Sequence, residues 1–234
     1  MTNLTEPIKS GSIVRAILKR IEEALINKEL KPGDHLPSEN EMAKTFGVGK
    51  TSVREAIKML EAMGVVEVQH GNGSFIKQQA DLDNINSLIF TLLLEQGTSK
   101  EIFELREMFE PAYTVMAMKK ATPEDIENIS NAINRLENAV KQGTQQADDD
   151  LAFHYAILES THNPFVIRIG STILQLFKAS LGTTMKHMPE IAVTDHKRIF
   201  KAFCDKNENE LRQAMNDSFN AWKNSLMKNE NILI

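Results

Sequence analysis

The stretch Leu36–Ile76, LPSENEMAKTFGVGKTSVREAIKMLEAMGVVEVQHGNGSFI, decides the fold of the first part of this chain. Pro37-Ser38 opens a helix, with Ser38 as N-cap and Glu41 three residues on to complete a capping box. Gly47-Val48-Gly49 is the turn, and a second helix runs from about Lys50 to Met63 before Gly64 stops it. On that helix Val53, Ala56, Ile57 and Leu60 fall at i, i+3, i+4 and i+7, which predicts one buried stripe. Thr51, Arg54, Glu55 and Lys58 occupy the opposite face, with Lys50 and Ser52 on its flanks. Val65–Val68 and Ser74–Ile76 read as strands joined by His70-Gly71-Asn72-Gly73, a hairpin turn signal. Two short helices followed by a hairpin make a winged helix-turn-helix.

The exposed tip of the second helix carries Lys50, Thr51, Ser52 and Arg54, two cations and two hydroxyls within five residues. A helix that enters the major groove by its N-terminus needs such groups for base edges and phosphates. Arg54 suits guanine, because its planar fork matches O6 and N7. Lys58 continues the cationic face. The competing reading is that Lys50, Arg54 and Lys58 only solvate a helix surface. The full order of helix, glycine turn, basic helix and glycine-rich wing favours DNA.

Length and charge agree with this division. The 234 residues suit two modest domains. Net charge is −5, but residues 1–78 hold 11 Lys+Arg against 10 Asp+Glu, while 79–234 hold 16 against 22. Contact with phosphate should therefore be confined to the first part. The single cysteine, Cys204, gives no disulfide framework and fits a reducing cytosol. No run of eighteen apolar residues occurs, and Met1–Gly11 is too polar for a signal peptide, so a cytoplasmic protein with no membrane partner is expected.

Residues 1–11 read as a loose arm, followed by a helix from about Ser12 to Asn27 with Ile13, Ile17, Ile21 and Leu25 at four-residue intervals. The winged domain ends near residue 78, and the polar residues 79–83 form a linker. From 84 to 234 there is helix after helix: about Asn84–Glu95, Thr98–Lys120 with a Thr98/Glu101 cap, Thr122–Val140, Asp148–Ser160, one from Asn163-Pro164, Glu190–Cys204 and Asn207–Lys228. The stripe Val166, Ile169, Ile173, Leu176, Phe177 is a core or dimer surface. The predicted class is mainly α: a winged helix-turn-helix with a small β-hairpin wing, plus an all-α bundle.

Polar residues fall inside the bundle's apolar stripes. At about 100° per residue, Asp150 and His154 lie in the middle of their helix's apolar arc, beside Phe153 and Ile157. His196 does so among Ile199, Phe200 and Phe203, and Ser218 among Leu211, Met215 and Trp222. Buried polar groups are costly unless something satisfies them, so these positions predict one internal site. An aspartate and two imidazoles suit a divalent ion such as Zn²⁺, Ni²⁺ or Mn²⁺, with water completing the shell. Arg106 sits on the edge of the stripe Ile102, Leu105, Phe109, Tyr113; it demands an anion, either Glu110 one turn on or a carboxylate ligand. Arg106, Ser218 and Trp222 are the candidate effector contacts. The plainer alternative is that each buried His is a hydrogen-bonded core residue.

The first part resembles the DNA-binding domain of GntR-family regulators through Pro32-Gly33, Leu36-Pro37-Ser38-Glu39, Gly47-Val48, Val53-Arg54-Glu55-Ala56, Leu60-Glu61, Gly64 and Gly71-Asn72-Gly73. The resemblance implies operator contacts at Lys50, Thr51, Ser52, Arg54, His70 and Gly71. Asn40 stands where the family usually has arginine, and Gly49 where it has a Ser or Thr cap. Glu104-Leu105-Arg106-Glu107, Glu110-Pro111, Ala121-Thr122, Asp150 with His154, Asn163-Pro164 and Asp195-His196 resemble the FCD effector domain of the FadR subgroup. Its metal-binding members use an Asp and three His beneath a small carboxylate; Asp150, His154 and His196 match three positions, and Ser218 replaces the fourth. The resemblance implies a homodimeric regulator, read here as a repressor of a palindromic operator, released by a small carboxylate or sugar acid. A regulator in which the ion itself is the signal is the alternative. A metal-dependent enzyme is the third reading, disfavoured because no motif supplies a general base.

Overall fold

The computed structural model describes residues 12–79, 87–95, 99–184 and 189–228. The arm 1–11, residues 80–83 of the expected linker, the helix start at Asn84 and the Thr98 cap lie outside the described residues. The chain divides into two compact units, residues 1–87 and 88–234.

The first unit comprises α1 (Ile13–Ile26), α2 (Glu39–Phe46), α3 (Lys50–Ala62), β1 (Val66–Gln69) and β2 (Gly73–Ile76). The capping box forms: Ser38 Oγ accepts from the Glu41 N–H, and the Glu41 carboxylate accepts from the Ser38 N–H. Gly47 ends α2 at φ +67°, in the left-handed region that a Cβ would strain. The predicted stripe Val53, Ala56, Ile57, Leu60 is buried against Ile17, Ile21 and Ala24 of α1 and Met42 and Phe46 of α2. The hairpin is antiparallel, with Val66 opposite Ile76 and Gln69 opposite Gly73. Residues before α2 fasten the hairpin to the body, since Leu36 N donates to Ser74 O and Ile76 N to Asp34 O, each at 2.8 Å.

The second unit is all-helical among the described residues: α4 (Ser87–Leu94), α5 (Ser99–Lys120), α6 (Pro123–Gln142), α7 (Ala147–Glu159), α8 (Pro164–Thr184), α9 (Pro189–Cys204) and α10 (Glu208–Lys228). Thr122 and Asp125 make the expected capping box around Pro123 at the start of α6. Helix α7 packs on α5, α6 and α8, so both of its sides are committed to the interior. This explains why its Asp150, Leu151, Phe153, His154, Ile157 and Leu158 are all buried. The α8 stripe divides: Ile173, Leu176 and Phe177 are buried, whereas Ile169 is 49% exposed.

The close approach of α8 to α7 depends on Gly170. A Cβ there would lie 2.5 Å from Leu158 Cδ1 and 2.8 Å from Cδ2, and Leu158 is fully buried with nowhere to turn. Gly170→Ala is therefore expected to destabilise the bundle by about 1–3 kcal/mol, the usual cost of overpacking. Urea denaturation of the two forms measures it.

Candidate DNA-reading face and buried polar cavity

The residues expected to meet DNA lie at the surface of the first unit. Asn40, Lys50, Thr51, Arg54, Lys58, His70 and Gly71 are exposed, and Ser52 is half-buried. Arg54 is not free, however. Its Nε and Nη2 donate to the Glu39 carboxylate at 3.2 and 2.9 Å, and Lys50 Nζ lies 3.9 Å from the same carboxylate. The hydrogen bond from Arg54 lowers the Glu39 pKa, so the carboxylate stays ionised. Glu39 thus orients the fork expected to read guanine, a role that its place in the Leu36–Glu39 run did not disclose.

The wing is held by a residue to which the sequence reading gave no role. His35 Nε2 donates to the Asn72 carbonyl at 3.0 Å, and its ring meets the Phe75 ring edge-on at 4.8 Å. Gly73 is required beneath it: φ is +98°, and a Cβ would come within 2.5 Å of His35 Nε2. The turn bearing His70 and Gly71 is therefore pinned rather than loose.

In the second unit α5, α7, α9 and α10 enclose a cavity of about 20 Å³ lined by Arg106, Glu110, Asp150, His154, His196, Ser218 and Trp222 among others. The six residues assigned to the metal and effector sites from the sequence are thus brought together. A void of this size admits one water or an ion. It does not admit a sugar acid unless its walls part.

Its polar groups form one connected set. Arg106, expected at the edge of a stripe, is instead only 5% exposed. Its Nε donates to Glu110 Oε2 at 2.5 Å, its Nη2 lies 2.9 Å from His154 Nε2, and its guanidinium stacks 4.1 Å from the Phe177 ring centroid. Glu110, one of the two anions foreseen for it, is its ion-pair partner. His154 Nδ1 lies 2.6 Å from Glu110 Oε1. Asp150, 1% exposed, faces both imidazoles, with Oδ2 3.5 Å from His154 Nε2 and Oδ1 3.4 Å from His196 Nε2. Neither Asp150 oxygen has a hydrogen-bond partner, nor does His196 Nδ1.

Burial would raise the Asp150 pKa, but His196, His154 and Arg106 outweigh it and the carboxyl is held below its usual range. Burial, against the pull of Asp150, pushes His196 down to about 3, and its ring stacks on Phe153 at 4.0 Å as a neutral imidazole. Burial also opposes charge on His154, but Glu110 outweighs it and the pKa is raised. Arg106 Nη2 stands over the imidazole, 2.9 Å from Nε2 and 3.3 Å from Nδ1, and not in line with either lone pair. The geometry puts a proton on Nδ1, donated to Glu110 at 2.6 Å.

This arrangement fits a metal ion. One ligand atom from each of Asp150, His154 and His196 lies within 4.8 Å of the others. Two ligands about 2.1 Å from one ion at a tetrahedral angle stand about 3.4 Å apart, the separation seen between Asp150 and each imidazole. The unpartnered Asp150 oxygens could serve as ligand atoms for a cation. Glu110 behind His154 fixes the tautomer that ligation needs. Ser218 lies in the lining; burial raises the pKa of the neighbouring Asp195, against the lowering influence of Ser218. Glu110 was foreseen as a partner for Arg106 but not for His154, and Asp195 was given no role by the sequence.

Comparison with known proteins places both units. Residues 13–76 match the family described as bacterial regulatory proteins, gntR family, and residues 101–221 match the FCD domain. The HTH-type transcriptional regulator LutR of Bacillus subtilis (strain 168) is 29% identical over 197 residues, covering 81% of this chain and 90% of that protein. The galactonate operon transcriptional repressor of Escherichia coli (strain K12) is 26% identical over 216 residues, covering 88% and 91%. Among solved structures, Streptococcus agalactiae GntR superposes with a TM-score of 0.64 at 22% identity, over 91% of this chain and 99% of that one, which shows a shared fold.

Two outcomes are expected from this geometry. Glu39→Gln removes a negative charge from the cationic tip and frees Arg54. Binding to random-sequence duplex should tighten and the preference for an operator should narrow by about tenfold, read by competition titration at fixed salt. The second concerns acid. His196 binds its proton near pH 6.5 when unfolded but only near 3 when folded, so folding stability falls as pH drops through that window. His196→Gln should make the fall shallower, measured as urea midpoints at about pH 6.5 and about pH 4.5.

Proposed function

The chain belongs to the gntR family of bacterial regulatory proteins and carries an FCD domain, which makes it a DNA-binding transcriptional regulator, and from that premise we propose a homodimeric repressor of a palindromic operator, controlled by occupancy of its buried cavity. The cavity carries the reading: an aspartate with two unpartnered oxygens faces two imidazoles inside a helical bundle. Asp150, His154 and His196 would hold a divalent ion, which would supply the positive charge that attracts a small carboxylate. Arg106, Ser218 and Trp222 would contact that carboxylate from the surrounding wall. One relative is named for a galactonate operon, and galactonate is a polyhydroxy monocarboxylate.

DNA would be met by Lys50, Thr51, Ser52, Arg54 and Lys58 on α3, by Asn40, and by the wing tip His70-Gly71. Dimerisation is supported by apolar side chains left at the surface of the adjoining helices α5 and α8: Met108 is 70% exposed, Phe165 79% and Ile169 49%. Among the described residues no helix is long and apolar enough to cross a membrane, and a repressor works in the cytoplasm beside its operator.

A second reading is favoured by the size of the cavity. About 20 Å³ accepts an ion and not an organic acid, so the ion alone could be the signal. Titrating metal against operator binding, with and without carboxylates, separates the two. Either way, the ligand changes operator affinity only by as much as it prefers one state of the protein.

The division of labour predicts opposite phenotypes. Arg54→Ala should weaken operator binding by about tenfold to a hundredfold, the worth of one bidentate base contact, and leave ligand binding intact. His196→Ala should hold operator affinity within about twofold and abolish the ligand response. Equal loss of DNA affinity in both folded variants would defeat the scheme.

A further inference from the structure

We propose that Asn72, at the tip of the wing, is a site of spontaneous covalent modification. Its carboxamide is deamidated through attack by the Gly73 peptide nitrogen, His35 promotes the attack, and the product lowers operator affinity. The chemistry needs the first unit alone, and its consequence for DNA rests on the wing contact proposed above.

Asn72-Gly73 is the one Asn-Gly pair in the chain, and both residues are exposed. Asparagine is among the chemically labile residues, and a following glycine offers a peptide nitrogen with no Cβ beside it to block approach. The wing cannot shed that glycine. Gly73 has φ +98°, and a Cβ there would lie 2.5 Å from His35 Nε2. The Asn72 side chain is turned back over the hairpin, where Nδ2 donates to Gln69 Oε1 at 3.0 Å, and Gln69 is the residue opposite Gly73. Gln69 and Gly73 form the last pair of a two-stranded ladder, the place where such a ladder frays first.

His35 supplies what a bare Asn-Gly pair lacks. The nucleophile is the Gly73 nitrogen after loss of its proton to solvent. The negative charge so formed is shared with the oxygen of the same peptide group, which is the Asn72 carbonyl. His35 Nε2 donates to this oxygen at 3.0 Å, so it stabilises the anion as it forms. The nitrogen then bonds to Asn72 Cγ, and the Cγ–Nδ2 bond breaks with release of ammonia, its proton returned by solvent. Water opens the resulting cyclic succinimide. Attack at Cγ leaves an aspartate at position 72; attack at the main-chain carbonyl leaves an isoaspartate, whose backbone runs through Cβ. In sum one water enters and one ammonia departs, with nothing oxidised or reduced. Either product puts a carboxylate beside His70-Gly71, where phosphate is expected. The isoaspartate also lengthens the backbone between positions 72 and 73, which displaces the carbonyl held by His35 and the Gln69–Gly73 pair.

The test is incubation of the full-length protein at neutral pH in isotopically labelled water, followed by peptide mass mapping. Asn72 should convert ahead of every other asparagine and take its new oxygen from the labelled solvent. His35→Phe keeps a ring against Phe75 and loses the donor; it should slow conversion by about tenfold, the worth of one hydrogen bond to a forming charge. His35→Leu repeats the measurement should that variant fail to fold. Asn72→Asp stands for the product and should bind operator about fivefold to tenfold more weakly, whereas Asn72→Gln should keep its affinity through the incubation. Conversion at Asn72 no faster than at other asparagines overturns the proposal, whatever DNA binding shows. Conversion that is not slowed by loss of the His35 donor overturns the part given to His35. Operator affinity unchanged in Asn72→Asp, while Arg54→Ala weakens it, overturns the consequence alone. Affinity unchanged in both overturns the DNA-contact reading and leaves the covalent chemistry standing.

Discussion

An ion pair and a third charge are held where water does not reach, and the second unit is arranged around that fact. Arg106, Glu110 and Asp150 are each at most 5% exposed. Each charge carries a desolvation penalty of several kcal/mol, offset only by close pairing and by hydrogen bonds to what remains. Arg106 and Glu110 meet that demand on α5 at a four-residue step, and His154 on α7 extends it. Asp150 does not meet it fully, since its contacts to the imidazoles at 3.4 and 3.5 Å are too long for good hydrogen bonds. A bundle seeking stability alone would place leucine there. The cost is intelligible when the cavity exists to be completed from outside.

The two units handle charge in opposite regimes. On α3 the cations stand in water, so their mutual repulsion is screened and their attraction to phosphate depends on salt. Glu39 there contributes orientation more than stability, because a surface pair is worth about 1 kcal/mol or less. In the cavity nothing is screened, and adding or removing one charge changes which partners the others can keep. The same residue types therefore do different work: at the surface they recognise a polyanion, and in the interior they register whether a small charged guest has arrived. Sensing belongs with the buried set, since an unscreened change of charge can shift a two-state equilibrium.

The legibility of the chain follows the range of the physics involved. Capping at Ser38–Glu41 and Thr122–Asp125, the left-handed turn at Gly47 and the buried stripe of α3 arise from residues within a few positions of one another, and they could be read directly. Helical periodicity likewise placed Asp150, His154 and His196 on inward arcs, because burial of a helix face is a local pattern. Arg106 was misjudged as an edge residue. Its stripe is flanked on the far side by α7 and α10, and the burial of a residue between stripes depends on how many helices surround it.

By itself, then, the sequence determined the order of elements, the cationic tip of α3, the two-part organisation and the inward direction of the cavity's donors, since these follow from spacing along one chain. The tertiary structure decided which partners those groups take: Glu39 for Arg54 across fifteen residues, His35 for the wing tip across thirty-seven, and His154 for Arg106 across forty-eight. It also decided that the cavity is about 20 Å³. Pairing and volume depend on how helices distant in sequence are set against each other, at tolerances of less than an ångström, and periodicity along one helix carries no information of that kind.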